Sequence, residues 1–359
     1  MKNIKYYGLI CFFVIFSCIP FNISAIEKFE SVIEKARESV VLLSMNPNAD
    51  PDTDPAQSAL CSGVVVDNVG HVLTNFHCVH NNNYVRLFYY DLDDWQTYKV
   101  NVIGLDPLAD LALLQVLDRE GDPIPHLEFA KDADKIKSGM DVFALGHPMG
   151  MAWTVTKGII SSTERYARHP FIKALQTDAA INKGNSGGPL MNMKGEIIGI
   201  NSLIVSRISE SAGVGLAIRG DIVKKSFESM LMSGRVDRPA IGITIVALNR
   251  KQQRDKIVKQ FSEFEPEFIP NTFGIMIRPS DDPLPLGLED FDTIIAINNV
   301  FTNDSLSFTD EISKNNIGDT ITLSIIRKKR FRKVDVPLKV FPVNVELLYP
   351  PQPKRPVFE

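Results

Sequence analysis

A short glycine-rich segment with a serine near its centre is the part of the sequence best suited to chemistry. Residues 184–190 read Gly-Asn-Ser-Gly-Gly-Pro-Leu, a run that favours neither a helix nor a regular strand. Glycine adopts backbone angles that other residues resist, so the N–H groups of Gly184 and Ser186 can point at one spot. Two N–H groups aimed at one point stabilise a developing oxyanion. Ser186 is therefore a candidate nucleophile, and Gly184 and Ser186 are candidate oxyanion donors.

A serine nucleophile needs a base, and the base needs an acid that orients it; the sequence offers both upstream. His77 follows a strand-like run, and Asp110 opens another apolar run over residues 110–116. Histidine, aspartate, serine is one of the chain orders in which a Ser-His-Asp triad occurs. Taken singly, the serine segment fits a tight turn and the histidine fits an ordinary strand end. Together they favour acyl transfer, with His77 as general base, Asp110 as orienting acid and Ser186 as nucleophile.

Further segments resemble the HtrA/Deg family of serine proteases and occur in that family's order. They are residues 62–67 (SGVVVD), 70–75 (GHVLTN), 110–114 (DLALL), 144–150 (ALGHPMG), 176–182 (QTDAAIN) and 213–218 (GVGLAI). The resemblance runs from about residue 39 to 218, and a weaker resemblance to a PDZ domain continues to residue 342. It implies a mainly β protein: a chymotrypsin-like double β-barrel with the triad in the cleft, followed by a smaller PDZ-like α+β domain. It also implies chemistry without a metal or an organic cofactor.

Short apolar runs separated by turn residues agree with this fold, because such spacing is typical of sandwiches and barrels. The resemblance implies a protease domain over residues 26–219, and helical spacing predicts a linker helix within residues 220–238. A PDZ-like domain is predicted over 239–342. The Pro-rich tail, 343–359, is predicted to be disordered.

The first 25 residues are predicted to be a leader rather than part of the fold. Lys2 and Lys5 precede an uncharged apolar run that ends at Pro20, which is typical of a secretory signal peptide. An uncleaved membrane anchor and a lipoprotein signal at Cys18 are the alternatives. All three predict a location in the periplasm or cell envelope.

Two cysteines, Cys61 and Cys78, remain once the leader is removed. Two cysteines in an exported domain suggest one disulfide, and Cys61 begins the strand that leads into the strand before His77. Two buried free thiols are the alternative, and the HtrA pattern more often has other residues at both places. A metal site built from Cys78 and the nearby histidines would consume the base and lacks a spacing typical of zinc.

The resemblance places Ala180, six residues before Ser186, at the base of the primary specificity pocket. Because no carboxylate stands there, the pocket is expected to favour Val, Ile, Ala or Leu before the scissile bond. The other predicted pocket walls are Ile181, Ile200, Asn201 and Ser202. Asn185 carries no charge to pair with a new N-terminus, so activation is expected to come from ordering of the loops at 46–57, 164–171 and 202–213.

The PDZ-like region offers a candidate peptide-binding turn. Its residues are Ala240, Ile241, Gly242 and Ile243. Their backbone N–H groups are predicted to bind a chain-terminal carboxylate while a peptide strand adds to the sheet edge. The alternative is that these residues merely start a strand.

Family resemblance also implies a homotrimer or a multiple of one. The apolar face of the first mature helix, with Phe29, Val32 and Ile33, is a candidate interface, and packing of this face on its own barrel is the alternative. The net charge of −4 and pI of about 5.9 argue against a nucleic-acid partner.

The function favoured by the sequence is an exported, ATP-independent serine endopeptidase that degrades misfolded or specific envelope proteins. Its expected partners are those substrates and peptide C-termini at the PDZ-like domain. The alternatives are a regulatory protease that makes a single cut, and a chaperone or peptide-binding protein with secondary proteolysis.

Overall fold

The computed structural model describes most of the chain between residues 23 and 349. The described ranges are 23–45, 61–80, 85–91, 94–117, 125–132, 135–147, 153–166, 172–202, 213–260, 273–279, 281 and 283–349. Leader residues 1–22, the loop at 46–57, residues 167–171 and 203–212 of the other two predicted loops, and tail residues 350–359 lie outside them. Within the described ranges, no helix is both long and apolar enough to cross a membrane.

The first helix, α1 (Ile23–Arg37), leads into a closed barrel of antiparallel strands. In chain order the elements of this barrel are β1 (Val40–Ser44), β2 (Cys61–Val65), β3 (His71–Thr74), the single helical turn α2 (Phe76–Val79), β4 (Arg86–Asp91), β5 (Asp94–Asp106) and β6 (Leu111–Val116). The spatial order is β1-β2-β3-β6-β5-β4, and β1 pairs with β4 to close the ring. Alternate side chains such as Val41, Leu87 and Leu114 fill the interior, because successive residues of a strand face opposite sides.

A second barrel repeats this architecture. Its strands are β7 (Asp141–Gly146), β8 (Thr154–Tyr166), β9 (Lys173–Thr177), β10 (Pro189–Asn192), β11 (Ile197–Asn201) and β12 (Gly215–Arg219). They are arranged in the order β10-β11-β12-β9-β8-β7 around a closed ring. The predicted mainly β fold with a double β-barrel is therefore confirmed, and each barrel has six strands.

The largest apolar cluster lies between the barrels rather than inside either one. Leu73 and Leu111 of the first barrel meet Phe143 and Ile200 of the second, all four of them fully buried. Packing of two curved sheets over a shared apolar layer removes this surface from water, which is the main stabilising contribution to such an arrangement. The cleft at the end of this layer is where the predicted site residues meet.

Helix α1 covers one side of the shared layer. Phe29, Val32 and Ile33 pack against it, and the ring of Phe29 makes an edge-to-face contact with Phe143 at a centroid distance of 5.3 Å. The apolar face that was a candidate trimer interface is therefore occupied by the chain's own barrels. The helix also begins at Ile23, before the predicted leader boundary at residue 25.

A smaller α+β domain follows the helix α3 (Gly220–Ser233), which ends at Gly234 in a left-handed conformation (φ 72°). Its elements are β13 (Pro239–Ala240), β14 (Ile245–Ala247), α4 (Lys251–Gln260), β15 (Ile275–Ile277), β16 (Thr293–Ile297), β17 (Val300–Phe301), α5 (Ser305–Ile312), β18 (Thr320–Arg327), β19 (Arg330–Pro337) and β20 (Lys339–Val340). The main sheet has the order β14-β15-β16-β18-β19, with β17 paired to β16. We call residues 239–340 the C-terminal domain; its resemblance to a PDZ domain stays a prediction.

The chain enters and leaves the C-terminal domain at one place. The first strand, β13, pairs with the last, β20, through Pro239 opposite Val340 and Ala240 opposite Lys339. Just before β13, the guanidinium of Arg238 donates to both carboxylate oxygens of Asp106 at 2.8 and 2.6 Å. Asp106 is 1% exposed at the end of β5, so this buried ion pair fixes the entry of the C-terminal domain to the first barrel.

The prediction of disorder from residue 343 is wrong for residues 343–349. These residues form a short helix, α6 (Val345–Leu348), capped by Asn344, whose side-chain oxygen accepts from the backbone N–H of Leu347. Phe341 and Leu348 pack against the layer between the barrels. The tail was predicted to be disordered because it is rich in proline and polar residues. Its first residues are nevertheless ordered, because their apolar side chains are buried against a surface that other parts of the chain supply.

Candidate active site

Asp110 lies at the back of the cleft and is clamped by several hydrogen bonds. Its side chain accepts from the backbone N–H of His77 at 3.0 Å and lies 2.9 and 3.0 Å from His77 Nδ1. Its carbonyl accepts from Phe76 N and Asn75 Nδ2. Asp110 has a left-handed φ of 57°, which costs an L-residue about 1 kcal/mol. Side chain and main chain of Asp110 are thus both directed at the turn that carries His77.

His77 stands on α2, between the buried aspartate and the cleft. Its side chain is 19% exposed, whereas that of Asp110 is 2% exposed. With Nδ1 on the carboxylate, Nε2 is left to act as a base, which is the arrangement a triad histidine requires. A disulfide joins Cys61 on β2 to Cys78 on α2, with Cα atoms 6.1 Å apart, and Cys78 Sγ lies 3.7 Å from His77 Nε2.

The loop that holds Ser186 lies against the strand end that leads to His77. Gly187 has a φ of 84°, and a methyl group there would overlap the carbonyl oxygen of Ser62 and the hydroxyl of Thr74. Only glycine allows both this conformation and this close approach. Gly184, with a φ of 106°, has its carbonyl turned to the hydroxyl of Ser62. The loop and the β3–α2 connection therefore meet at the cleft.

Ser62 ties the two barrels together behind the loop. Its backbone N–H donates to the carbonyl of Ser186 at 2.8 Å, and its hydroxyl donates to the carbonyl of Gly184 at 2.7 Å. The same hydroxyl accepts from the backbone N–H of His147 at 2.9 Å. The His147 ring is fully buried and its Nε2 donates to the carbonyl of Val40 at 3.4 Å. Burial lowers the pKa of His147 to about 4, so this ring is a neutral structural group at pH 7.

Ser202 has a contact that the sequence did not indicate. Its hydroxyl donates to Asp110 Oδ2 at 2.6 Å, and its backbone N–H donates to the carbonyl of Leu216. The sequence places Ser202 among the pocket walls; in the structure it is buried beside the aspartate. A hydrogen bond to a carboxylate fixes the position of its oxygens, so Ser202 helps to hold the acid in place.

Comparison with known proteins gives one consistent result. A family model described as a trypsin-like peptidase domain matches residues 61–200. A probable serine protease do-like from Buchnera aphidicola subsp. Acyrthosiphon pisum (strain APS) is 33% identical over 299 residues, 82% of this chain and 59% of the relative. The periplasmic serine endoprotease DegP of Salmonella typhimurium is 31% identical over 285 residues, 78% of this chain and 57% of the relative. The solved structure of the HtrA-type protease AlgW with decapeptide matches 88% of this chain and 99% of that chain, with a TM-score of 0.73 and 26% identity.

Residues 61–200 therefore match the trypsin-like peptidase family, and over most of its length the chain is similar to HtrA-type and DegP-like serine proteases. The chain spans 59% and 57% of the length of the two relatives named above. The resemblance to HtrA/Deg serine proteases that the sequence indicated is therefore confirmed.

The predicted pocket residues do not all face the cleft. Ala180 is half-buried, and its carbonyl accepts from Thr156 Oγ1 and Asn185 Nδ2. Ile181 is buried inside the second barrel and Ile200 in the layer between the barrels. The side-chain amide of Asn201 donates to the carbonyl of Pro189, under the serine loop. The side chains of those three residues are buried in the fold, and Ala180 stays the predicted pocket base.

The predicted carboxylate-binding turn lies between β13 and β14. Ala240 and Ile241 are buried, whereas Gly242 is exposed with a φ of 80°. Strand β14 forms one edge of the main sheet of the C-terminal domain, and α5 packs near it. An edge strand presents unpaired backbone groups that a peptide can extend.

One charged side chain links the second barrel to the C-terminal domain. Lys173 on β9 contacts Glu164 at 3.0 Å and Asp310 of α5 at 2.9 Å. Burial opposes its charge, but the hydrogen bonds to Asp310 and Glu164 outweigh burial and raise the pKa of Lys173. Glu164 belongs to the predicted activation loop at 164–171, of which residues 164–166 are described.

Proposed function

We propose that this protein is an exported, ATP-independent serine endopeptidase that hydrolyses misfolded or specific envelope proteins. The observation that carries the proposal is the contact of His77 Nδ1 with the buried carboxylate of Asp110, at 2.9 Å, beside the loop of Ser186. Periplasmic export is inferred from the similarity to the periplasmic serine endoprotease DegP of Salmonella typhimurium and from the leader predicted from the sequence.

Each of the three residues has a distinct role in the proposed mechanism. His77 Nε2 takes the proton of the Ser186 hydroxyl as its oxygen attacks the substrate carbonyl. Asp110 holds the imidazole in the required tautomer and stabilises the imidazolium that forms. The backbone N–H groups of Gly184 and Ser186 stabilise the oxyanion. The imidazolium then protonates the leaving amine, and water attacks the acyl-enzyme with His77 again as base.

The C-terminal domain is proposed to bind peptide C-termini. The turn of residues 240–243 would receive the carboxylate, and the peptide would add to the exposed edge of β14. Gly242 supports this, since a side chain at its position would meet nothing within 4 Å and a ligand can therefore approach the backbone. A homotrimer is proposed on family resemblance alone.

Hydrolysis of unfolded casein by the purified protein tests the activity. We expect wild-type protein to release many fragments, and Ser186→Ala to lose activity by up to about 10⁶-fold in turnover. His77→Ala is the matched partner and is expected to give the same loss, because the two side chains act as a unit. Cleavage by Ser186→Ala at the wild-type rate would remove this serine from the mechanism.

The fragment pattern of the same reaction separates the alternatives. Many cuts across casein support degradation, whereas one cut in one folded substrate would identify a regulatory protease. Suppression of casein aggregation by Ser186→Ala, with no cutting by the wild type, would identify a chaperone.

A further inference from the structure

We propose that Tyr349, beyond the C-terminal domain, is a positioning residue for the triad. Its hydroxyl lies 3.2 Å from Asp110 Oδ1 and 2.8 Å from the carbonyl oxygen of Pro107, and the residue is buried, 9% exposed. The two hydrogen-bonding residues, Tyr349 and Asp110, are 239 positions apart in the chain. The inference rests on the proposed roles of His77, Asp110 and Ser186.

The Tyr349 ring also contacts the turn that carries the base. It packs on Phe76 at a centroid distance of 4.7 Å and on His80 at 5.8 Å, and Phe76 and His80 stack on each other at 4.6 Å. Phe76 begins α2 and His80 caps its end, so His77 lies between these two residues in the chain. Tyr349 therefore touches both the acid and the element that holds the base.

The hydroxyl has one proton and two acceptors within reach. The carbonyl of Pro107 is the nearer acceptor, but an ionised carboxylate is a stronger acceptor than a neutral carbonyl, so we assign a three-centre hydrogen bond in which the proton is shared between Asp110 Oδ1 and the carbonyl of Pro107. Oδ2 of Asp110 already accepts from Ser202 at 2.6 Å, and Oδ1 accepts from the backbone N–H of His77. Tyr349 adds a donor on the Oδ1 side, and these donors together fix the plane of the carboxylate that orients His77.

The path of the chain explains how so distant a residue arrives there. Because β20 pairs with β13, the chain leaves the C-terminal domain next to the first barrel. The backbone N–H of Phe341 donates to the carbonyl of Arg238, and Leu348 packs on the layer between the barrels. Helix α6 then ends with the backbone N–H of Tyr349 donating to the carbonyl of Val345, which directs the ring at the cleft.

Kinetics of the full-length chain with substitutions at residue 349 test the proposal. Tyr349→Phe keeps the ring and removes the hydroxyl, and we expect kcat on casein-derived peptides to fall about 3- to 10-fold with KM unchanged. Tyr349→Ala also releases the turn, so a larger fall is expected. Leu347→Ala is the matched control, since Leu347 is 80% exposed on the same helix; it is expected to keep the wild-type kcat.

The Phe variant decides between positioning and packing. If Tyr349 serves only to fill space, Tyr349→Phe will have the wild-type kcat and Tyr349→Ala will lose thermal stability alone; this result would overturn the proposal. Measuring Ser186→Ala in the same assay separates failure of the Tyr349 proposal from failure of the proposed triad. An inactive Ser186→Ala with a fully active Tyr349→Phe refutes only the role of Tyr349, whereas an active Ser186→Ala refutes the triad.

Discussion

His147 is a buried titratable side chain outside the triad, and it makes the fold sensitive to acid. Its pKa is lowered from 6.5 to about 4 by burial, so the unfolded chain binds a proton first as pH falls. The stability contributed by the neutral ring is complete above pH 6.5 and is lost progressively between pH 6.5 and 4. The free energy of unfolding should fall by about 2 kcal/mol from this residue between pH 7 and pH 5.

Urea unfolding at pH 7 and pH 5 measures this loss. His147→Gln retains an N–H donor for the carbonyl of Val40 and does not titrate, so the difference between the two proteins isolates the histidine. Parallel pH dependence of wild type and variant would show that His147 is not the acid-sensitive group.

Ala180 sets the expected specificity at the level of a single side chain. Because no carboxylate stands at this position, a peptide library should show cleavage after Val, Ile, Ala or Leu. Ala180→Asp is expected to shift the preference toward Arg and Lys only weakly, since the surrounding support from Ile181 and Ile200 stays apolar. A wild-type profile dominated by Arg or Lys before the cut would contradict the assignment.

Candidate site residues could be predicted from the sequence where they stand close together in one recognisable segment. Gly184, Ser186 and Gly187 occur in one segment, and the conformation of Gly187 and the close approach of Ser62 to it explain why the segment needs glycine. Ser202 and Tyr349 could not be assigned to Asp110 in this way. Their contacts with it join residues 92 and 239 positions apart, and only the closed barrels and the returning chain create them.

The turn α2 is held by a covalent bond as well as by packing. The Cys61–Cys78 disulfide closes a loop between residues 17 positions apart, so we expect the double substitution Cys61→Ser, Cys78→Ser to lower the free energy of unfolding by roughly 3 kcal/mol. Peptide mass spectrometry of alkylated, non-reduced protein from the periplasm checks the bond directly. Recovery of both cysteines as alkylated thiols would contradict it.

At element scale the strands follow from short apolar runs separated by turn residues, but both ends of the chain differ from the sequence-based boundaries. Helix α1 begins at Ile23, before the predicted leader boundary at residue 25, and its later residues Phe29, Val32 and Ile33 pack on the layer between the barrels. Helix α6 forms in a segment predicted to be disordered because Leu348 and Tyr349 reach buried surface. The local composition of either segment could not indicate the layer between the barrels, because strands far away along the chain supply much of that surface.

The quaternary structure is a separate question from the packing of α1. Light scattering at micromolar concentration is expected to give the mass of a homotrimer or a multiple of one, and a monomer would contradict this. Since Phe29 packs on Phe143, Phe29→Ala should lower the free energy of unfolding by about 2 kcal/mol without changing the oligomeric mass. If Phe29→Ala dissociates the oligomer without changing the free energy of unfolding, the apolar face of α1 is part of the subunit interface.

The pairing of β13 with β20 has a mechanical consequence for the whole molecule. The C-terminal domain is attached at both of its ends, by Arg238 on Asp106 at its entry and by Phe341 and Tyr349 after its exit. A module on one flexible linker explores a volume that grows with linker length, whereas one held at two adjacent points, and contacted at a third where Lys173 pairs with Asp310, has far less freedom. A peptide bound to such a module stays within a fixed radius of Ser186. The effective concentration of that peptide at the cleft is then set by how the C-terminal domain is attached and not by the amount of peptide in solution.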